Sequence, residues 1–135
     1  MSPIHHHKLV ELLDYRFPKN LHLRRPSEFR AVYDFRVGAS DAWLGVSAMP
    51  NRLGDSRLGL SVSRRYGNAV RRVRLRRLYR EAFRLGRHEL PAGLDLVMIP
   101  RSPNEPTLAQ VQASLKTLLG QIARRLTKEA RWTPS

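Results

Sequence analysis

Between Arg64 and Arg87 the chain places ten arginines and a single acid, Glu81. A guanidinium is a poor proton donor at neutral pH. Its planar fork pairs with phosphate through two hydrogen bonds and stacks on exposed bases. This stretch supplies +9 of a formal net charge of +14, from 25 Lys plus Arg against 11 Asp plus Glu in 135 residues. That imbalance predicts a polyanionic partner, nucleic acid or an acidic membrane surface. The residues that would cut a phosphodiester bond are missing. Glu28, Asp34, Asp41, Asp55, Glu81 and Asp95 are scattered, with no paired spacing for acid–base work or a two-metal site. With no cysteine there is no thiolate ligand and no disulfide, which agrees with a reducing cytosol. His5-His6-His7 cannot all face one ion from an unstructured start and read as a polar tail or tag remnant. His22 and His88 are isolated. No metal or cofactor bound by this chain itself is expected.

The basic stretch could be a spray of solvated charge or an organised surface. Projected at about 100° per residue, Leu75, Leu78, Tyr79, Ala82 and Leu85 fall on one side of a helix. Arg74, Arg76, Arg77, Arg80 and Arg84 fall on the other, and Arg64, Arg65, Arg71 and Arg72 crowd the preceding loop and first turn. Like charges three and four apart cost a helix a few tenths of a kcal/mol per pair. Cations at a helix start also oppose its dipole. A merely soluble face would interleave Glu; this one does not. The arrangement makes sense if a polyphosphate lies across it. A membrane-surface helix fits less well, because its apolar side is committed to a fold, and no apolar run approaches the roughly 20 residues needed to span a bilayer.

The elements that must position this helix follow from pattern. Lys8 to Leu13 could make one or two helical turns, and Pro18 biases Phe17 toward extended backbone. Pro26 suits the first position of a helix whose apolar face is Phe29, Val32 and Tyr33. Trp43 to Met49 and the alternating Arg57 to Ser63 read as strands joined by a short polar turn, an antiparallel hairpin, with an edge strand over Phe35 to Ala39. Asn68 can cap the arginine helix, which ends before Gly86. Leu94 to Ile99 is a buried strand closed by Pro100. Thr107 and Gln110 form a capping box for a last helix, whose stripe is Leu108, Val111, Leu115, Leu118, Leu119, Ile122 and Leu126. The result is an α+β domain with helices on a small central sheet. Residues 1–22 form a partly flexible extension, 23–128 the domain and 129–135 a flexible tail.

The run from Arg64 to Phe83 now has a counterpart. Arg64-Arg65, then Gly67-Asn68-Ala69-Val70, then Arg72-Val73-Arg74-Leu75-Arg76-Arg77 and Arg80-Glu81-Ala82-Phe83 resemble the signature of the bacterial ribonuclease P protein family. Gly59 to Ser63 is similar to that family's third strand, and Phe29, Val32 and Tyr33 to its aromatic first helix. The likeness runs from about Phe17 to Arg125. It implies the order αβββαβα with a left-handed βαβ crossover, an exception to the right-handed rule. It also implies a subunit that docks on a catalytic RNA and holds the single-stranded 5′ leader of precursor tRNA. The holoenzyme, an endoribonuclease, then removes the leader, with Mg²⁺ and the catalytic centre in the RNA.

Carried over by position, the RNA-facing residues are Arg64, Arg65, Arg72, Arg74, Arg76, Arg77 and Arg80, with Arg71 in the same cluster. The leader cleft would be Phe29, Tyr33, Trp43, Ser61 and Arg65. Helical spacing alone reads Phe29 and Tyr33 as core; the resemblance makes them a partly exposed cleft wall. Three positions depart from the family. Val73 stands where an Asn is usual, His22 where an Arg is usual, and Val46 where some members carry an aromatic. The expected partners are the RNA subunit, one to one, and precursor tRNA, in the cytoplasm, with no membrane and no obligate protein partner. A ribosomal protein is the nearest rival, and often adds long basic tails. A protein nuclease acting alone lacks its carboxylates here.

Overall fold

In a computed structural model, which describes residues 16–132, Pro26 starts the first helix as expected. Helix α1 covers Pro26–Phe35. The carboxylate of Glu28 accepts the backbone N–H groups of Arg24 and Arg25 at 3.0 and 2.9 Å, satisfying donors that the first turn leaves free. Three strands follow: β1 Gly38–Ser40, β2 Leu44–Pro50 and β3 Arg57–Leu60. Helix α2 spans Ala69–Gly86, strand β4 Leu94–Pro100 and helix α3 Leu108–Lys128. The Asn68 cap and the Thr107–Gln110 capping box are both present. The order αβββαβα is that of the expected α+β fold. The helical reading of Lys8 to Leu13, the three histidines at the start and the last three residues of the tail lie outside the described residues.

The expected hairpin of the second and third strands is wrong. The sheet order is β1-β2-β4-β3, with β4 inserted between them. β2 pairs antiparallel with β4, from Leu44↔Pro100 to Pro50↔Leu94, and β3 pairs parallel with β4, from Arg57↔Asp95 to Leu60↔Met98. β4 is buried on both faces, with Asp95 its one polar side chain, and gains more from the centre of the sheet than an edge would give it. The true hairpin is β1 with β2. The edge strand begins at Gly38 rather than Phe35, β2 begins at Leu44 rather than Trp43, and β3 stops at Leu60 rather than Ser63. The arginine helix runs one residue further than expected, through Gly86.

The sheet is covered on both sides. On one side Leu44, Val46, Ala48, Leu58, Leu96 and Met98 meet α2 and α3 in the main core. The expected stripe of α3 is buried there, apart from half-buried Leu108. On α2 the buried residues are Leu75, Tyr79, Ala82 and Phe83, while Leu78 and Leu85 are only half-buried. Phe83 was absent from the expected face; it lies four residues after Tyr79 on the same stripe and receives Phe17 at a ring distance of 5.2 Å. On the other side Leu23, Val32 and Val97 form a second small core with Phe29, Met49 and Ile99. Helix α1 is thus held over the sheet face opposite α2.

Candidate nucleic-acid interface

The arginine surface starts in a 3-10 turn over Arg64–Tyr66 and turns into α2 at Gly67. Gly67 has φ of 124°, and a Cβ there would lie 2.6 Å from Arg71 Cδ, so only glycine fits. The Asn68 side chain then accepts the Arg71 N–H at 2.9 Å. This fixes where the helix begins and so which way each arginine points.

The eight expected docking arginines fall into two groups. Arg64, Arg65, Arg74, Arg77 and Arg80 are exposed, and Arg71, Arg72 and Arg76 are half-buried. Arg71 donates to the Pro103 carbonyl, and Arg76 donates to the Val62 carbonyl at 3.4 Å. Arg76 is therefore a flank of the face rather than part of its free front. Arg84, assigned to the same front, pairs with Glu81 one turn back. Arg65 lies over the Tyr66 ring at 5.1 Å. Arg74 reaches Glu105 at 3.3 Å, the one carboxylate set against the front of the helix among the described residues. Val70 and Val73 are 67% and 47% exposed amid these cations.

The cleft candidates lie on the α1 side of the sheet. Phe29 is wedged over β3: a Cβ on Gly59 would meet its ring at 2.8 Å. Tyr33, one turn later, is 40% exposed. Ser61 extends β3, its N–H donating to the Met98 carbonyl at 3.0 Å. Trp43 immediately precedes β2 and is half-buried. An Asp41 carboxylate oxygen receives the Trp43 and Leu44 N–H groups at 2.8 and 3.0 Å and sets that turn. Trp43 and Ser61 stand at the same end of the sheet, where β2 begins and β3 ends. Phe29 is thus both core and wall, and Tyr33 is the exposed aromatic of the pair.

A groove of about 260 Å³ joins the two surfaces, lined by His22, Arg24, Phe29, Leu60, Arg76 and Arg80. Neither His22 nor Arg24 stands in a sequence pattern that points to this groove. They arrive because the Leu23 N–H donates to the Leu58 carbonyl at 2.8 Å, which lays the entry segment along the edge of β3. No local pattern signals that pairing. His22 stacks on Phe17, centroids 3.8 Å apart. Burial, with Arg24 and Arg80 nearby, holds its imidazole below the ordinary value despite a hydrogen bond to the Phe17 carbonyl. Among the described residues no three His, Asp or Glu side chains converge as a metal site. No helix among them is long and apolar enough to cross a membrane.

The fold is a small α+β domain that sets a polycationic helix beside a groove walled by Phe29 and His22. The chain belongs to the Ribonuclease P family, whose model matches residues 17–123. It is 44% identical over 90 residues to the Ribonuclease P protein component of Methylococcus capsulatus, covering 66% of this chain and 70% of that one. Against the Ribonuclease P protein component of Chloroflexus aggregans it is 41% identical over 109 residues, covering 79% and 81%. The solved RNase P protein from Thermotoga maritima superposes with a TM-score of 0.66 at 30% identity, covering 76% of this chain and 96% of that one.

Proposed function

We propose that this chain is the protein subunit of a ribonuclease P that matures the 5′ ends of tRNA. The front of α2 docks on the catalytic RNA, and the α1 side of the sheet holds the precursor's leader. The observation that carries this reading is the exposed arginine front of α2, with its family signature, directly beside the groove walled by Phe29 and Arg80. Arg64, Arg65, Arg74, Arg77 and Arg80 offer forks for phosphates where the RNA folds on itself. Arg71, Arg72 and Arg76 buttress them from the flank. Tyr33 and Trp43 offer ring faces to unpaired leader bases, with Phe29, Ser61 and Arg65 lining the approach.

In this reading the RNA subunit, with its Mg²⁺, performs the hydrolysis. The protein contributes affinity by neutralising phosphate, and selectivity for precursor over mature tRNA by holding a segment that only the precursor has. Binding is therefore steeply salt-dependent. The test is cleavage of a precursor tRNA at low Mg²⁺ and moderate salt, with a cognate ribonuclease P RNA, with and without this protein. Cleavage only with both supports the subunit reading. Cleavage by the protein alone places catalysis in this chain, and no effect of the protein favours a ribosomal or other RNA-binding role.

A further inference from the structure

Trp132 stands at the end of the sheet opposite the N-terminal turn of α2, where the arginine surface begins. The N-terminal turn of α2 lies near the Pro100 end of β4, where Arg71 reaches the Pro103 carbonyl. Trp132 lies at the Leu94 end, beside Gly93, where a Cβ would meet its Nε1 at 3.7 Å. Seven residues of β4 separate the two ends, roughly 20 Å of extended strand. Trp132 lines two hollows there. One, of about 470 Å³, is bounded by Pro50, Arg52, Gly93 and Arg131. The other, of about 510 Å³, is bounded by Pro91, Arg124, Thr127 and Lys128.

The two hollows that share the indole are lined between them by four cations. Arg131 is occupied, lying over the Phe35 ring at 4.1 Å and pairing with Glu129 at 3.3 Å. Arg52, Arg124 and Lys128 pair with no carboxylate among the described residues. A half-exposed indole set between unneutralised cations suits one kind of ligand: a flat π-system joined to phosphate. Among the described residues no carboxylate offsets the repulsion between Arg52, Arg124 and Lys128, and an apolar peptide would leave these cations unanswered. A duplex would satisfy the cations but offer no free base to the ring.

We propose that Trp132, with Arg52 and Arg124, forms a second nucleotide-binding site that takes an unpaired nucleotide of a single-stranded RNA segment. The base stacks on the indole, and the flanking phosphates lie against Arg52 and Arg124. The site stands apart from docking through α2 and does not depend on it.

The test reads Trp132 emission in a Trp43→Phe background, where it is the one remaining tryptophan. The probes are hexauridine, an RNA duplex of equal charge, and inorganic tripolyphosphate. Saturable quenching by hexauridine, at least about fivefold tighter than by duplex, is expected, as one stacked base contributes on the order of 1 kcal/mol or more. Arg52→Asn with Arg124→Gln should weaken it severalfold. Asn is chosen because position 52 has φ of 59°, which Asn tolerates. Arg74→Ala with Arg77→Ala should leave it unchanged, which separates this site from the docking face. Quenching that is absent, matched by tripolyphosphate or duplex, or undiminished in the Arg52/Arg124 variant overturns the proposal. In the assembled holoenzyme, quenching on adding the RNA subunit assigns the nucleotide to that RNA. Quenching only on adding leader-bearing precursor assigns it to the leader, and quenching with neither overturns the site.

Discussion

Arg57 grips both carboxylate oxygens of Asp95, Nε to Oδ1 at 2.8 Å and Nη2 to Oδ2 at 2.6 Å. Asp95 is buried, and its Oδ1 also accepts the Asn51 amide at 2.9 Å. The remaining arm of Arg57 reaches Glu28 of α1 at 3.2 Å. One guanidinium therefore ties β3 to β4 and pins the first helix over both, beside the proposed leader cleft. The Asp95 carboxylate, a plain strand-face residue in sequence, is the anchor. Arg57→Ala leaves that carboxylate buried without a cation, with the Asn51 amide as its remaining partner. The expected loss is roughly 2–3 kcal/mol, below the 3–5 of a fully buried pair because Arg57 keeps partial solvent access. Urea unfolding measures it; a loss below about 0.5 kcal/mol would show the fork to be dispensable.

The same clamp carries a pH dependence. Hydrogen bonds from the Arg25 and Arg24 amides, together with the Arg57 charge, hold the Glu28 carboxyl below its ordinary value of 4.5. A group depressed on folding stabilises the native state above its unfolded value, and that contribution disappears as pH falls through the folded one. Stability should thus be level with respect to Glu28 above about pH 5 and fall on acidification below 4.5. Glu28→Gln should flatten that part of the profile. Thermal melts between pH 3 and 7 on both proteins make the comparison, and parallel curves would remove Glu28 from the account.

Glu105 holds Arg74 away from full availability. Both side chains are largely exposed, so the pair adds little to stability. Glu105→Gln should leave the melting temperature unchanged and tighten binding to the RNA subunit a few-fold. Weaker binding would place Glu105 in a positioning role instead.

Arg74→Ala with Arg77→Ala removes two fronting cations. If each meets a phosphate, the slope of log K against log salt should fall by about 1.4–1.8. Filter binding across a salt series gives the slope. An unchanged slope would move the docking face elsewhere on the molecule.

Val73 is 47% exposed within the cationic front, so its side chain supports little of the core. Val73→Asn should change stability by under about 0.5 kcal/mol and should tighten RNA docking by adding a hydrogen-bonding group where the family carries one. Equal affinity for the two proteins would show that this RNA contact has no use for the amide.

Element order, three helix starts, the stripe of α3 and the arginine front of α2 were legible in the chain alone. Each follows from periodicity and end chemistry within a few turns, as with Asn68 reaching the Arg71 amide and Thr107 the Gln110 amide. Family membership was legible for a related reason, since a contiguous motif from Arg64 to Phe83 carries it. Whatever depends on distant segments meeting emerged with the fold. β4 displaced β3 from β2 because a mostly apolar strand buried on both faces gains most at the centre, a competition invisible to the alternation of either neighbour. Arg57 found Asp95 and Glu28 across 38 and 29 residues, and His22 and Arg24 joined the groove through one backbone bond to Leu58. Arg76, read as RNA-facing, is half-buried and donates one N–H to the Val62 carbonyl. A helical projection gives the direction of each side chain from its own axis, and the neighbours that the fold brings up decide which of them remain free.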